Sequence, residues 1–396
     1  MSQRYVGLDY LRALLIVRLV AFHSVFAYVD FGKLVPPDVM PIVDSQRWSG
    51  FAVFVQLNET FSMSLMYFIS GLFVWSGLAR RGALGYALAR GRRLGIPFAL
   101  VIILVMPLAY YPVYLSRGFN LGVAAYAEAL FSSRIWEAGP LWFVWLLLVF
   151  DLCAAAIYAV APKAMEALGR VTAGAVRRPA RCFILFVACA GIVYLPMVAA
   201  FGPWRWAVLG PFALQPSRLL HYAFYFFAGV GIGAFGLSRG PLAEGSALVR
   251  HWARWTVVAV LLNVFYLGPF FPLVVVLSRE SPLLGLLLFG LGFATTSAAT
   301  SFALVAIFQR FLTRHVGVAD SLAANSYGIY LGHYPFVLWI QYMLLGVPLP
   351  VGIKALIVFV CALAPSWGVA ALFRAVLRAA RAPAPEPAAS PAPGAQ

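Results

Sequence analysis

A chain of 396 residues in which 63% are hydrophobic and only 11% charged is too apolar for a soluble domain, in which about a quarter of the residues carry charge. The net charge of +16 would suit a nucleic-acid binder. The basic residues, however, gather in alternate connections between apolar segments, the pattern that orients a membrane protein. Composition therefore argues against a soluble enzyme and against a nucleic-acid partner, and an all-α polytopic membrane protein is the expected fold class. The cysteines, Cys153, Cys182, Cys189 and Cys361, lie in or beside apolar segments without C-x-x-C spacing. They read as small buried hydrophobes, and no metal site is expected.

About ten spans of roughly 20 residues follow from the hydropathy, at 8–29, 52–77, 94–115, 141–160, 182–201, 219–237, 255–277, 284–308, 322–345 and 351–373. The excess of Lys and Arg in alternate connections puts both termini in the cytoplasm and the protein, multi-pass, in the cell (inner) membrane. The first apolar run contains Arg18 and His23 and reads as a retained span, not a cleaved signal. The basic connection 78–93 is free of strong breakers and reads as a short interfacial helix. The connection 116–140 carries Arg134, Trp136 and Glu137 ahead of Gly139-Pro140. A transmembrane domain over 1–377 and a disordered Pro/Ala-rich cytoplasmic tail over 378–396 complete the expected organisation.

Ionisable side chains within spans are costly and mark function. The first span carries Asp9, Arg12, Arg18 and His23. Helical spacing puts Arg12 within about 20° of His23 and Asp9 roughly 40° to the other side of it, one polar stripe, and Arg18 on another face, with Arg12 and His23 about 16 Å apart along the axis. A titratable imidazole at one depth and a guanidinium at another suit a buried polar path. Arg90 and Arg93 precede the third span in ARGRRLGIPF and share a helix face. Two guanidinium forks suit phosphates, although basic residues there often only fix topology. The second span, with Asn58, Glu59, Ser62, Ser64, Tyr67 and Ser70, is unusually polar, as helix–helix contacts or a pocket would require. Trp142 and Trp145 open the fourth span as an interfacial belt would. The ninth span places Tyr330, His333 and Gln341 in the membrane; a lone buried histidine is ordinarily structural, but a second one beside the first span favours a shared site. The intramembrane charges alone leave an enzyme and a proton-coupled transporter equally open.

The ordered set of motifs resembles the acyltransferase 3 family of membrane-bound O-acyltransferases. It comprises RYVGLDYLRALLIVRLVAFHS with Arg12 and His23, MYFISG in the second span, the R-x-x-R of Arg90 and Arg93, LWF at 141–143, and SYGIYLGHYPF at 326–336. Within the family the likeness is nearest to the glucans biosynthesis protein C group, which succinylates periplasmic glucans. The resemblance implies transfer of an acetyl or succinyl group from cytoplasmic acyl-CoA, a co-substrate and not a resident cofactor, to a hydroxyl of a cell-envelope or exported glycan. It also implies that His23 is the catalytic histidine with Arg12 as its paired arginine, and that Arg90 and Arg93 handle the donor. Asp9 is expected to hold the polar network with Arg12, and Glu59, Ser70, Trp142, Tyr330 and His333 to line a pocket. Some members carry an added hydrolase-like domain, and no counterpart is evident here. The competing reading is a proton-coupled exporter.

Overall fold

The computed structural model describes residues 5–32, 40–119, 122–133, 137–173 and 178–380. Ten long helices are present among them: α1 (Val6–Phe26), α2 (Gly50–Gly71), α3 (Val74–Ser116), α4 (Gly139–Val160), α5 (Pro179–Phe201), α6 (Pro216–Phe235), α7 (Trp252–Glu280), α8 (Pro282–Phe311), α9 (Gly317–Met343) and α10 (Val351–Ala379). Each falls on one of the segments expected from hydropathy. Proline sits in the first turn of α4, α5, α6 and α8, where its missing N–H costs nothing and its fixed φ favours the helix.

Six of the ten, α3, α4, α5, α7, α8 and α10, are long and apolar enough to cross a membrane by length and composition alone. The other four, α1, α2, α6 and α9, carry Asp9, Arg12 and Arg18, Asn58 and Glu59, Arg218 and His221, and Asp320 and His333. These polar helices pack on one another, α1 against α2 and α9, and α2 against α6. Helices whose side chains are too polar for hydrocarbon thus take one another as neighbours, and the polar residues concentrate between them.

The connection 78–93 is helical, as expected, but it is not separate from the third span. α3 is two helical pieces that meet at Gly82, whose φ of +68° suits a residue without Cβ, and the piece after Gly82 continues from the connection into the third span. Two π-helical turns, Gly91–Gly95 and Val101–Val105, follow, insertions that shift which face of the helix later residues occupy. Three features were not legible as elements: short helices at Val123–Ser133 and Pro162–Ala173, and the antiparallel hairpin β1 (Ala207–Leu209) and β2 (Phe212–Leu214). Arg134, Trp136 and the tail beyond 380 lie outside the described residues, while α10 itself continues to Ala379, past the expected edge at 377.

Close packing fixes α2 against α6. A Cβ on Gly229 would sit 2.2 Å from the Phe68 carbonyl oxygen, and one on Gly233 would sit 2.3 Å from that of Leu72. The Gly-x-x-x-Gly spacing on α6 therefore lets two backbones touch. The loop from α1 to α2 is pinned differently. Asp44 and Lys354 form a 2.7 Å ion pair with side chains 0% and 1% exposed, and Trp48 N–H donates to the Tyr28 carbonyl at 2.9 Å.

Candidate active site

α1 and α9 run parallel. Near the start of α1, Tyr10 donates to Asp320 at 3.0 Å and Arg12 donates to the Ala323 carbonyl at 3.5 Å; near its end, the side-chain amide of Gln341 donates to the His23 carbonyl at 2.8 Å. This register brings His23 and His333 together with ring centroids 5.3 Å apart. His333 is fully buried and His23 is half-buried in front of it. Tyr334 completes the group, its ring 5.2 Å from His23.

The hydrogen bonds define what each imidazole offers. Nδ1 of His333 lies 2.7 Å from the Tyr330 carbonyl oxygen. A carbonyl only accepts, so Nδ1 carries the proton and Nε2 is left as the basic nitrogen. That Nε2 is buried without a partner among the described residues, and so is Nε2 of His23. Two imidazole nitrogens are thus buried side by side with no group among the described residues satisfying either. The tight turn Gly139–Leu141 packs against Tyr330 and Tyr334, which flank the pair. Gly139 has φ +48°, and a Cβ there would fall 2.8 Å from Met106 and 2.9 Å from Tyr334, so only glycine fits. Tyr330 donates its hydroxyl to the Pro140 carbonyl, which ties the turn to the helix that carries His333.

The remaining expected residues are distributed. Arg12 pairs with Asp9 at 3.2 Å, one helical stretch away from His23, about 16 Å along the axis; the structure does not bring either residue to the imidazoles. Arg18 stacks on Phe61 of α2 with its guanidinium carbon 4.6 Å from the ring centre. Ser70 donates back to the Met66 carbonyl at 2.9 Å within α2 and joins no site. Glu59 forms an ion pair with Arg218 of α6 at 2.5 Å. Trp142 stacks on Tyr222, ring centres 5.8 Å apart at 26°.

Arg90 and Arg93 differ in setting. Arg90 meets buried Asp151 at 3.2 Å through Nε, and the same nitrogen donates to the Tyr86 hydroxyl at 2.9 Å. Tyr86 in turn donates to Asp151 at 2.5 Å. Arg93 is exposed, and its backbone carbonyl accepts a hydrogen bond of 3.1 Å from Tyr327. Tyr327, Tyr330 and His333 recur every three residues along one face of α9, so the Arg93 level and the imidazoles are about 9 Å apart along that helix.

Asp151, Arg218 and His221 are buried ionisable residues that no motif or spacing singles out. All three lie in or at the edge of apolar segments, where the cost of an ionisable group was the available signal. An apolar cavity of about 440 Å³, with Arg178 and Arg181 at its rim and Tyr225 and Ser301 in its wall, lies elsewhere and is lined by neither imidazole.

The family model of the acyltransferase domain (Acyl_transf_3) matches residues 5–374, which takes in nine of the ten long helices whole and all but the end of α10. The chain belongs to the acyltransferase 3 family and is a multi-pass membrane protein of that class. No curated protein and no solved structure matches it.

Proposed function

We propose that the protein is an integral membrane O-acyltransferase. It moves an acetyl or succinyl group from cytoplasmic acyl-CoA to a hydroxyl of a cell-envelope or exported glycan, with both termini on the cytoplasmic side of the inner membrane and ten spans between them. The observation that carries the reading is the His23–His333 pair, with two Nε2 atoms that have no partner among the described residues.

Acyl transfer from a thioester to an alcohol needs a base at the hydroxyl. Imidazole, with a solution pKa near 6.5, is matched to that task. His23, half-buried and in front, takes the hydroxyl proton as the oxygen attacks the thioester carbonyl. The carbon–sulfur bond then breaks, and the proton passes from His23 to the departing thiolate, giving the ester and free coenzyme A. His333, its tautomer held by Tyr330, stands behind His23 as a second basic nitrogen. Among the described residues no carboxylate is hydrogen-bonded to either imidazole, and Arg12, paired with Asp9, stands away from His23. On the donor side, the exposed Arg93 suits phosphates, while Arg90 is engaged by Asp151. The step of about 9 Å from the level of Arg93 to His333 lets a donor keep its phosphates at the surface while its thioester reaches the imidazoles.

The test is thiol release by purified protein in nanodiscs, given acetyl-CoA and succinyl-CoA separately with and without a crude envelope-glycan fraction. Glycan-stimulated release with one donor supports the reading and names the acyl group. No release from folded protein with either donor would transfer the case to a proton-coupled exporter, which moves its solute without consuming a thioester.

A further inference from the structure

Beside the Glu59–Arg218 pair lies a concentration of buried polar atoms for which the chemistry at His23 has no use. Ser217 Oγ and both ring nitrogens of His221 are buried with no hydrogen-bond partner among the described residues, next to Arg218 and the Tyr194 hydroxyl, which meet each other, and to the Tyr266 hydroxyl, which meets Gln56. They are close together. The His221 ring is 5.2 Å from Tyr194 and 5.3 Å from Phe293, and the Arg218 guanidinium carbon lies 5.0 Å over Phe293. A native interior leaves few such atoms unpaired, so a set this dense is completed by water or by a polar ligand.

The cluster lies close to the surface. The Glu59 side chain is 33% exposed. Arg218 approaches the Tyr222 hydroxyl at 3.5 Å, the Tyr222 ring stacks on Trp142, and Trp142 meets the edge of Trp206 at 5.7 Å. Trp206, just ahead of the hairpin, is 44% exposed. An aromatic ledge therefore leads from the surface to the polar cluster.

The chemistry selects among occupants. An anion gains little from Arg218, whose charge Glu59 already balances, and a cation gains equally little from Glu59. An apolar ligand would leave the buried donors and acceptors unmet. A neutral polyhydroxyl ring, each hydroxyl both donor and acceptor and each face apolar enough to lie on an indole, matches the mixture.

We propose that this ledge and the cluster behind it bind a neutral sugar unit of the acceptor, away from the unit that reacts. The proposal rests on the acyl-transfer reading for what that sugar is attached to. A line of rings joins the seat to the imidazoles: Tyr222 to Tyr67 at 5.0 Å, Tyr67 to Phe143 at 4.6 Å, Phe143 to Tyr330 at 5.9 Å and Tyr330 to His333 at 6.2 Å. These rings are themselves buried; they measure the separation, which a chain of several sugars is long enough to cover.

The test uses calorimetry of the full protein in nanodiscs with the neutral tetrasaccharides of glucose, mannose and galactose, together with steady-state kinetics on the envelope-glycan fraction. Trp206→Ala and His221→Phe are compared with wild type, and Leu209→Ala, at an exposed hairpin position outside the seat, is the control. Saturable binding of at least one tetrasaccharide is expected, weakened about five- to tenfold in both seat variants, with the acceptor KM rising in step and kcat not. His221→Phe should keep or raise the thermal midpoint, because it removes two unpaired nitrogens from an aromatic packing site; a purely structural histidine would show that gain without the loss of binding. No binding of any tetrasaccharide to wild type, or seat variants that bind as wild type does, would overturn the proposal. Binding lost in both variants while wild type releases no thiol from either donor would uphold the sugar seat and refute the acyl-transfer reading.

Discussion

At the scale of single residues, the arrangement of His23 and His333 turns on which atoms are satisfied. Nδ1 of His333 is used by Tyr330, and the Nε2 of each ring has no partner among the described residues. His23→Ala is therefore expected to lower acyl transfer by about 100-fold or more, the range of a positioned base, with the thermal midpoint unchanged. An assay at saturating donor checks both, and wild-type turnover in a folded variant would remove His23 from the chemistry. The two arginines should separate. Arg93→Ala, at an exposed position, should raise the donor KM and leave stability alone. Arg90→Ala strands buried Asp151 and should lower the thermal midpoint as well. Equal stability losses in the two would contradict that division. Much of this was legible in the sequence. Histidines within spans stand out because hydrocarbon penalises them, and the same rule would have flagged Asp151 in VFDLC. What spacing could not provide was distance between helices: Asp9, Arg12 and His23 share a projected stripe, yet the first two end up paired with each other far from the imidazole.

At the scale of elements, the partition into apolar and polar helices organises the bundle. Segment positions followed from hydropathy, since each run of about 20 apolar residues needs a helix to satisfy its backbone in lipid. Which segments are central was also implied by their polar content. Their pairing was not, because it depends on surface shape. The contact between α2 and α6 is one such shape, made by Gly229 and Gly233 against the carbonyls of Phe68 and Leu72. Gly233→Leu should push the helices apart and cost on the order of 3 kcal/mol or more, as overpacking does. Because Glu59 and Arg218 sit on the same two helices, it should also disturb that ion pair. A thermal midpoint equal to wild type would show that the close approach is not needed. The π-helical turns in α3 escaped the reading for a related reason: no residue type encodes them, and they emerge from packing.

At the scale of the whole molecule, the loop from α1 to α2 is fastened to the start of α10 by the buried Asp44–Lys354 pair. Removing one member leaves an uncompensated charge, so Asp44→Asn or Lys354→Met alone is expected to cost about 3–5 kcal/mol, while Asp44→Leu with Lys354→Met recovers most of it. Chemical denaturation in a defined detergent reads the difference, and additive losses in the double variant would argue against a paired role. The fastening matters because the loop follows directly on the last turn of α1, where His23 stands. On the proposed reading the donor approaches the imidazoles from the side of Arg93 and the acceptor from the aromatic ledge at Trp142 and Trp206. The most direct test of that account follows a radiolabelled acyl group from acyl-CoA into the envelope-glycan fraction, using wild type, His23→Ala and His333→Phe in nanodiscs. The account predicts label in the glycan with wild type, almost none with His23→Ala, and a reduced yield with His333→Phe. Transfer undiminished in folded His23→Ala would contradict it.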